Sequence, residues 1–281
     1  MRVKSQSFQS RQTMKGETFE IFSYKEPRKD VIPLHHHDFY EVYFYLSGNV
    51  QFMVESRTFS LQPGDILLVS PSELHRAVVS PDASDERIVL WIDRRFLQGL
   101  HEPGENLTAC FEKGLNLLRP SPIERANVLN IANELVSEYY GADYCSELAA
   151  LALFIRLMVE INRIAAAKTY AGADNRGAHE LAGRILSYIG EHYAEDISLD
   201  SLSAKFFVSK YHLSHEFSAA VGTSIHKYVV MKRLVSARQL ILDGMSPGEA
   251  CHECGYRDYS NFYRAYLAYY GTNPGALETQ V

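Results

Sequence analysis

The hydrophobic pattern of this chain changes period once, and that change limits the folds open to it. From about Glu17 to Asp93, aromatic and β-branched runs (YEVYFYL, VQFMV, ILLV, RIVLWI) are separated by turn-forming groups: SGN at 47–49, ESR at 55–57, QPGD at 62–65, SPSE at 70–73 and SPDASDE at 80–86. Such runs suit a pleated, half-buried surface, and their spacing predicts a sandwich or barrel of short strands. After Phe96 the repeat becomes helical. Residues 123–140 carry apolar side chains at 128, 131, 132, 135 and 139, one stripe of a helix. Residues 145–166 are apolar nearly all round, so that helix is expected to be covered on more than one side, by the strands or by a second subunit. KTYAGADNRGA at 168–178 is small, polar and aperiodic, and it reads as a linker between a domain at 1–167 and another at 179–281. Seven helices and no convincing strand are read from 179 to 275.

The 281 residues suit about two domains. No stretch reaches the ~18 uninterrupted apolar residues of a membrane span, and MRVKSQSFQSRQTMKGE lacks the apolar run of a secretory signal. A cytoplasmic protein with no membrane partner is expected. Four cysteines, Cys110, Cys145, Cys251 and Cys254, are too few and too scattered for a disulfide framework. A net charge of −6 supplies no overall pull toward nucleic acid, so any DNA binding has to come from local contacts.

The helical half nevertheless points that way. LDSLSAKFF and SKYHLSHEFSAAV are separated only by Val208 and the start signal Ser209, a tight turn between two short helices. The shape recurs about 50 residues on: SPGEACHEC opens with Ser246 and Pro247, Gly255 stops it, and DYSNFYRAYLAYYG starts at Asp258. Between the two units, 224–243 forms one helix about 28 Å long, a rigid spacer near the ~34 Å turn of a DNA duplex. Cys251 and Cys254 form a C-x-x-C without a second pair nearby, and both fall at apolar positions of a short helix, so packing is expected of them.

From ISLDSLSAKFF to GYRDYSNFYRAYLAYYGTNPG this region resembles the DNA-binding domain of AraC/XylS-type transcription regulators, with Gly255, Asp258, Ser260, Phe262, Arg264, Gly271 and Pro274 at the family's spacings. The resemblance implies an all-α domain with two helix-turn-helix units. It also implies double-stranded promoter DNA and RNA polymerase as partners, activation, and a homodimer formed through the helices at 123–166. The chain departs from the family in places. Phe207 stands where the family usually has glycine, His215 where it usually has arginine, and Ser218, Ala219, Leu267 and Ala268 where lysines are common. From residue 178 on there are nine Lys/Arg against eleven Asp/Glu, so nonspecific binding should be weak and its salt dependence shallow. Lys210, Tyr211, Ser214, His215 and Ser218 are the expected contacts of the first recognition helix, with Leu213 and Phe217 in the core. In the second, Arg264 can pair bidentately with guanine, Asn261 can read adenine, and Tyr259 and Ser260 can touch base edges or phosphate. Lys227, Lys232 and Arg233 are backbone contacts or structural charges.

LHHHDFYE, residues 34–41, is the chemical centre of the first half. Read as a strand, it places His35, His37 and Glu41 on one face and turns His36 away. The spacing through Gly48, with Gly64 and His75 further on, is similar to the two motifs of cupin barrels. In metal-binding cupins the four positions His35, His37, Glu41 and His75 hold a divalent ion; zinc, nickel, iron or manganese would suit them. Three readings stay open: a metal site, a metal-free effector pocket, or satisfied core histidines. Tyr43 and Tyr45 share the histidine face, and Phe52 or Met53, depending on register, lies on the next strand.

The chain is thus expected to be α+β: a cupin-like β-barrel followed by helices, then an all-α domain with two helix-turn-helix units. The function expected is sequence-specific regulation of transcription, as an activator answering a small molecule such as a sugar. The alternatives are a DNA-binding regulator without an effector and a metal-dependent cupin enzyme. Catalysis is not expected, because no general base is evident. Residues 1–16 could serve as a movable arm.

Overall fold

A computed structural model describes residues 12–25, 32–79, 85–111, 115–167 and 180–276. The expected linker at 168–178 and most of the expected arm at 1–16 lie outside them. The chain divides into two compact units, Met1–Asp174 and Asn175–Val281.

Among the described residues the first unit holds ten strands: β1 (Phe19–Tyr24), β2 (Tyr40–Ser47), β3 (Val50–Val54), β4 (Arg57–Ser60), β5 (Ile66–Val69), β6 (His75–Val79), β7 (Glu86–Ile92), β8 (His101–Glu102), β9 (Glu105–Asn106) and β10 (Leu117–Leu118). Helix α1 (Arg94–Gly99) follows β7, and α2 (Pro122–Tyr140) and α3 (Ser146–Ala166) close the unit. All pairings are antiparallel. A five-stranded sheet runs β1-β7-β2-β5-β10 and a three-stranded sheet runs β4-β3-β6, with β8 and β9 as a separate ribbon.

The large sheet is buried on both faces, which explains why its strands read as continuous apolar runs. On β2, Tyr40, Val42 and Phe44 face α2 and α3, whereas Tyr43 and Tyr45 face the three-stranded sheet. The same parity holds along β7, where Ile88, Leu90 and Ile92 lie under the helices and Val89 and Trp91 point between the sheets. Phe52, not Met53, joins the cluster between the sheets, which resolves the register left open by the sequence. Helix α2 starts on a capping box, Ser121 with Glu124, and on Pro122, as its sequence requires. Helix α3 buries Phe154, Leu157, Met158 and Ile161 against this core.

The second unit comprises α4 (Glu180–His192), α5 (Leu199–Phe206), α6 (Lys210–Val221), α7 (Ile225–Leu242), α8 (Pro247–Glu253) and α9 (Tyr259–Tyr270). Six α-helices, not seven, are found among the described residues; after α9 only a short 3₁₀ turn at 274–276 follows. Five of the six begin at an oxygen-bearing N-cap that accepts from the first turn: Ser198, Ser209, Ser224, Ser246 and Asp258. Leu234, Ala237, Ile241, Ala250, Cys251, Cys254, Phe262 and Tyr266 form the core shared by α7, α8 and α9, so the C-x-x-C pair is packing. Gly255 sits at φ +80°, and a Cβ there would lie 2.1 Å from the Ala194 carbonyl oxygen. Only glycine lets the two backbones approach so closely.

Candidate functional site

Two constellations carry chemistry, one in each unit. In the first unit, His35–His37 do not lie on a strand. Strand β2 begins at Tyr40, and His35 makes only an isolated bridge to His75, with the His35 N–H donating to the His75 carbonyl at 3.1 Å and the His75 N–H returning to His35 at 2.8 Å. The expected alternation therefore does not apply, and His36 is as buried as its neighbours. What the sequence places on one face is assembled instead by a bent segment, the start of β2 and the start of β6.

His37, Glu41 and His75 are the three that meet: one ligand atom from each lies within 4.8 Å of the others, and all three residues are buried. His35 stands beside them, its ring centroid 4.2 Å from that of His75 and 6.3 Å from that of His37, but it is not part of this set. Backbone carbonyls fix the imidazoles. The Nδ1–H of His37 donates to the Phe39 oxygen at 2.8 Å, and that of His75 donates to the Glu73 oxygen at 2.9 Å. A carbonyl can only accept, so Nδ1 carries the proton and Nε2 faces inward. Neither Nε2 has a hydrogen-bond partner among the described residues. His37 Nε2 lies 3.5 Å from Glu41 Oε2 as an ionic contact.

Burial alone would raise the Glu41 carboxyl. The close contact with the His37 ring, the electrostatic influence of His37 and then His35, and the Trp91 Nε1–H, which donates to Oε2 at 2.8 Å, outweigh it and hold the group below the usual carboxylate range. His75 is driven well below the usual imidazole value by burial and then by the neighbouring His35 and His37, so it is neutral at neutral pH. The set presents the Nε2 atoms of two imidazoles and a negative carboxylate. It is built to receive an electron-poor partner: a cation, or the hydroxyl or ammonium donors of a small molecule. These residues fit a divalent ion in donor type and in the carbonyl-held orientation of both rings.

The wall around them is aromatic. Phe39 stacks on His37 at 3.9 Å, and Phe52 lies over His75 at 6.0 Å. The Tyr43 hydroxyl donates to Asp85 at 3.0 Å, and Asp85 is paired with Arg87 at 2.9 Å, so Tyr43 belongs to a neighbouring buried network and not to the histidine set. The Tyr45 hydroxyl is buried without a hydrogen-bond partner among the described residues. Trp91, Phe39, Asp85 and Arg87 were not read from the sequence. The Glu41–Trp91 pair follows from the β2–β7 register, for which the sequence carries no local signal.

In the second unit, the expected contact residues lie on the outer faces of α6 and α9. Lys210, Tyr211, His215, Ser218, Tyr259, Ser260, Asn261 and Arg264 are exposed and Ser214 is half-buried, while Leu213, Phe217 and Phe262 are fully buried beneath them. Arg264 is held in place by Asn261, whose Oδ1 accepts from the guanidinium at 2.6 Å. Lys210 is paired with Asp200 on α5. Arg233 donates to the Tyr193 and Glu195 carbonyls at 2.7 and 2.6 Å, which makes it a structural clamp between α7 and the end of α4. Arg238, buried and donating to the Tyr266 hydroxyl at 3.3 Å, is a second structural cation that the sequence reading passed over. Among the described residues, no helix is long and apolar enough to cross a membrane.

Comparison with known proteins agrees with both units. The family described as AraC-like ligand binding domain matches residues 19–156, and that described as helix-turn-helix domain matches residues 202–280. The chain is 26% identical over 231 residues to the uncharacterized HTH-type transcriptional regulator YbfI of Bacillus subtilis (strain 168), covering 82% of this chain and 80% of that one. It is 23% identical over 256 residues to the HTH-type transcriptional activator RhaS of Escherichia fergusonii, covering 89% of each. A shorter match, 33% over 89 residues, links 31% of the chain to 36% of the probable transcriptional regulator LumQ of Photobacterium leiognathi. With a ligand-binding domain ahead of a double helix-turn-helix domain, the chain belongs to the AraC family of DNA-binding transcription regulators.

Proposed function

We propose that this chain is a cytoplasmic, homodimeric activator that brings RNA polymerase to promoter DNA when a small, donor-rich effector such as a sugar occupies the barrel at 1–167, which the linker at 168–178 joins to the DNA-binding domain at 179–281. One observation carries the effector reading: the Nε2 atoms of His37 and His75 converge, buried, on the Glu41 carboxylate, and among the described residues that of His75 has no hydrogen-bond partner while that of His37 has only a 3.5 Å contact with Glu41. Buried polar atoms left without partners cost stability unless a ligand satisfies them. His35 would line the same space, and Tyr43 and Tyr45, on the same face of β2, would extend it between the sheets. The name of the RhaS relative supports activation. The exposed apolar positions Leu148 and Ile155 on α3, one above the other two turns apart, support a second copy as partner.

A divalent cation is the second reading, favoured by the carbonyl-fixed rings. His37, Glu41 and His75 would hold it, and it would supply a positive centre for an effector's oxygens. The barrel is read as a sensor and not as a catalyst.

Thermal unfolding of the full chain across sugars, polyols, amines, organic acids and divalent metals tests this. A donor ligand or a metal should stabilise the protein increasingly with concentration, by about 2.7 kcal/mol at a hundredfold excess over Kd. His75→Gln and Glu41→Gln should abolish that response. If nothing in the panel shifts the transition, the effector reading falls and regulation by abundance takes its place.

A further inference from the structure

We propose that the first helix-turn-helix unit reads thymine methyl groups through Phe207, the aromatic ring on its turn, aided by Tyr211 on α6. The inference rests on the DNA-binding role of this unit. Phe207 is the C-cap of α5, with φ 57° and ψ 41°, a left-handed conformation that glycine adopts without the steric conflict a Cβ creates. Its ring is 93% exposed, so it adds almost nothing to the core. A bulky apolar side chain in that backbone conformation, wholly in water, works against the fold twice, and its use has to come from whatever the unit binds.

Its position says what that is. Phe207 precedes the α6 N-cap, Ser209, by two residues. The first turns of a recognition helix are what approach base edges in the major groove. There Tyr211 is 81% exposed and stacks on His215 at 6.2 Å, which extends the aromatic surface along the outer face of α6. Helix α6 contains no arginine, and its one lysine, Lys210, is paired with Asp200. The bidentate guanine contact open to Arg264 on α9 therefore has no counterpart here. The apolar group that the major groove displays is the thymine C5-methyl, and aromatic side chains contact it. The first unit would thus select A·T pairs by apolar contact while the second selects by hydrogen bonds.

The test uses the full chain and the DNA fragments it enriches from a random pool. Each thymine in the enriched site is replaced singly by deoxyuridine, which removes only the methyl group. Wild-type protein should lose about threefold to tenfold in affinity at one or two of these positions. Phe207→Gly and Phe207→Asn, both compatible with the left-handed turn, should bind the parent site more weakly by the same factor and show no further loss with deoxyuridine; Phe207→Tyr should restore the methyl dependence. If the glycine and asparagine variants bind like wild type, or keep its full deoxyuridine sensitivity, the inference is overturned. Unchanged DNA binding with a fall in transcription would also overturn it, since the ring would then face a protein. Failure of the wild type to enrich any sequence would overturn the DNA-binding reading itself, and this inference with it.

Discussion

Arg264 is oriented before DNA arrives, because Asn261 Oδ1 holds its guanidinium at 2.6 Å and the Ser260 carbonyl accepts from it at 3.3 Å. A preorganised fork loses less freedom on pairing with guanine. Arg264→Ala should therefore cost about 1 to 3 kcal/mol at one base pair and relax selection there, as read by titration against operator variants. The cysteines give a second residue-scale prediction. Burial pushes the Cys110 and Cys254 thiols up to about 12 and raises Cys251, whereas Cys145 is exposed. A thiol reagent should label Cys145 rapidly in the native chain and the other three only on unfolding. In the barrel, residue type and spacing were enough to nominate His37, Glu41 and His75. They could not show that His35 packs against the His75 ring or that Trp91 donates to Glu41, since both facts depend on how a non-strand segment bends and on strand register.

At the scale of elements, punctuation residues made the helical half legible. Ser209, Ser246, Pro247, Asp258, Gly255 and Gly271 stand where the structure starts or stops its helices. Gly255→Ala should destabilise the protein by roughly 3 kcal/mol, since the left-handed backbone and the Ala194 carbonyl both reject a methyl group; chemical denaturation checks this. The strands were legible as runs and turns, but which sheet each joins was not, because alternation is hidden where both faces of a sheet are buried. Helix α3 posed the choice between core and second subunit; its core side is seen, and its exposed apolar side is where the proposed second copy would pack. Phe154, Leu157 and Ile161 are buried in the unit, while Leu148 is 66% and Ile155 36% exposed. If the proposed dimer forms through α3, Leu148→Lys with Ile155→Lys should turn it into monomer in sedimentation at micromolar concentration without lowering the melting temperature of the monomer. An unchanged sedimentation profile would remove α3 from the interface.

At the scale of the whole molecule, an acidic protein with a net charge of −6 is asked to grip a polyanion. It does so with few cations, because Arg233 and Arg238 are committed to the fold, so affinity has to come from two probes acting together. Helix α7 has 18 residues, about 27 Å, and it is the link that fixes the distance between them. The most direct measurement is the affinity of the full chain for its enriched site, intact and with five base pairs inserted between the segments that α6 and α9 are expected to contact. A rigid spacer predicts two protected segments about one duplex turn apart and, after the insertion, loss of the second probe's entire contribution, which Arg264→Ala then lowers no further. Undiminished binding to the inserted site, or one continuous protected segment indifferent to the insertion, would contradict the account.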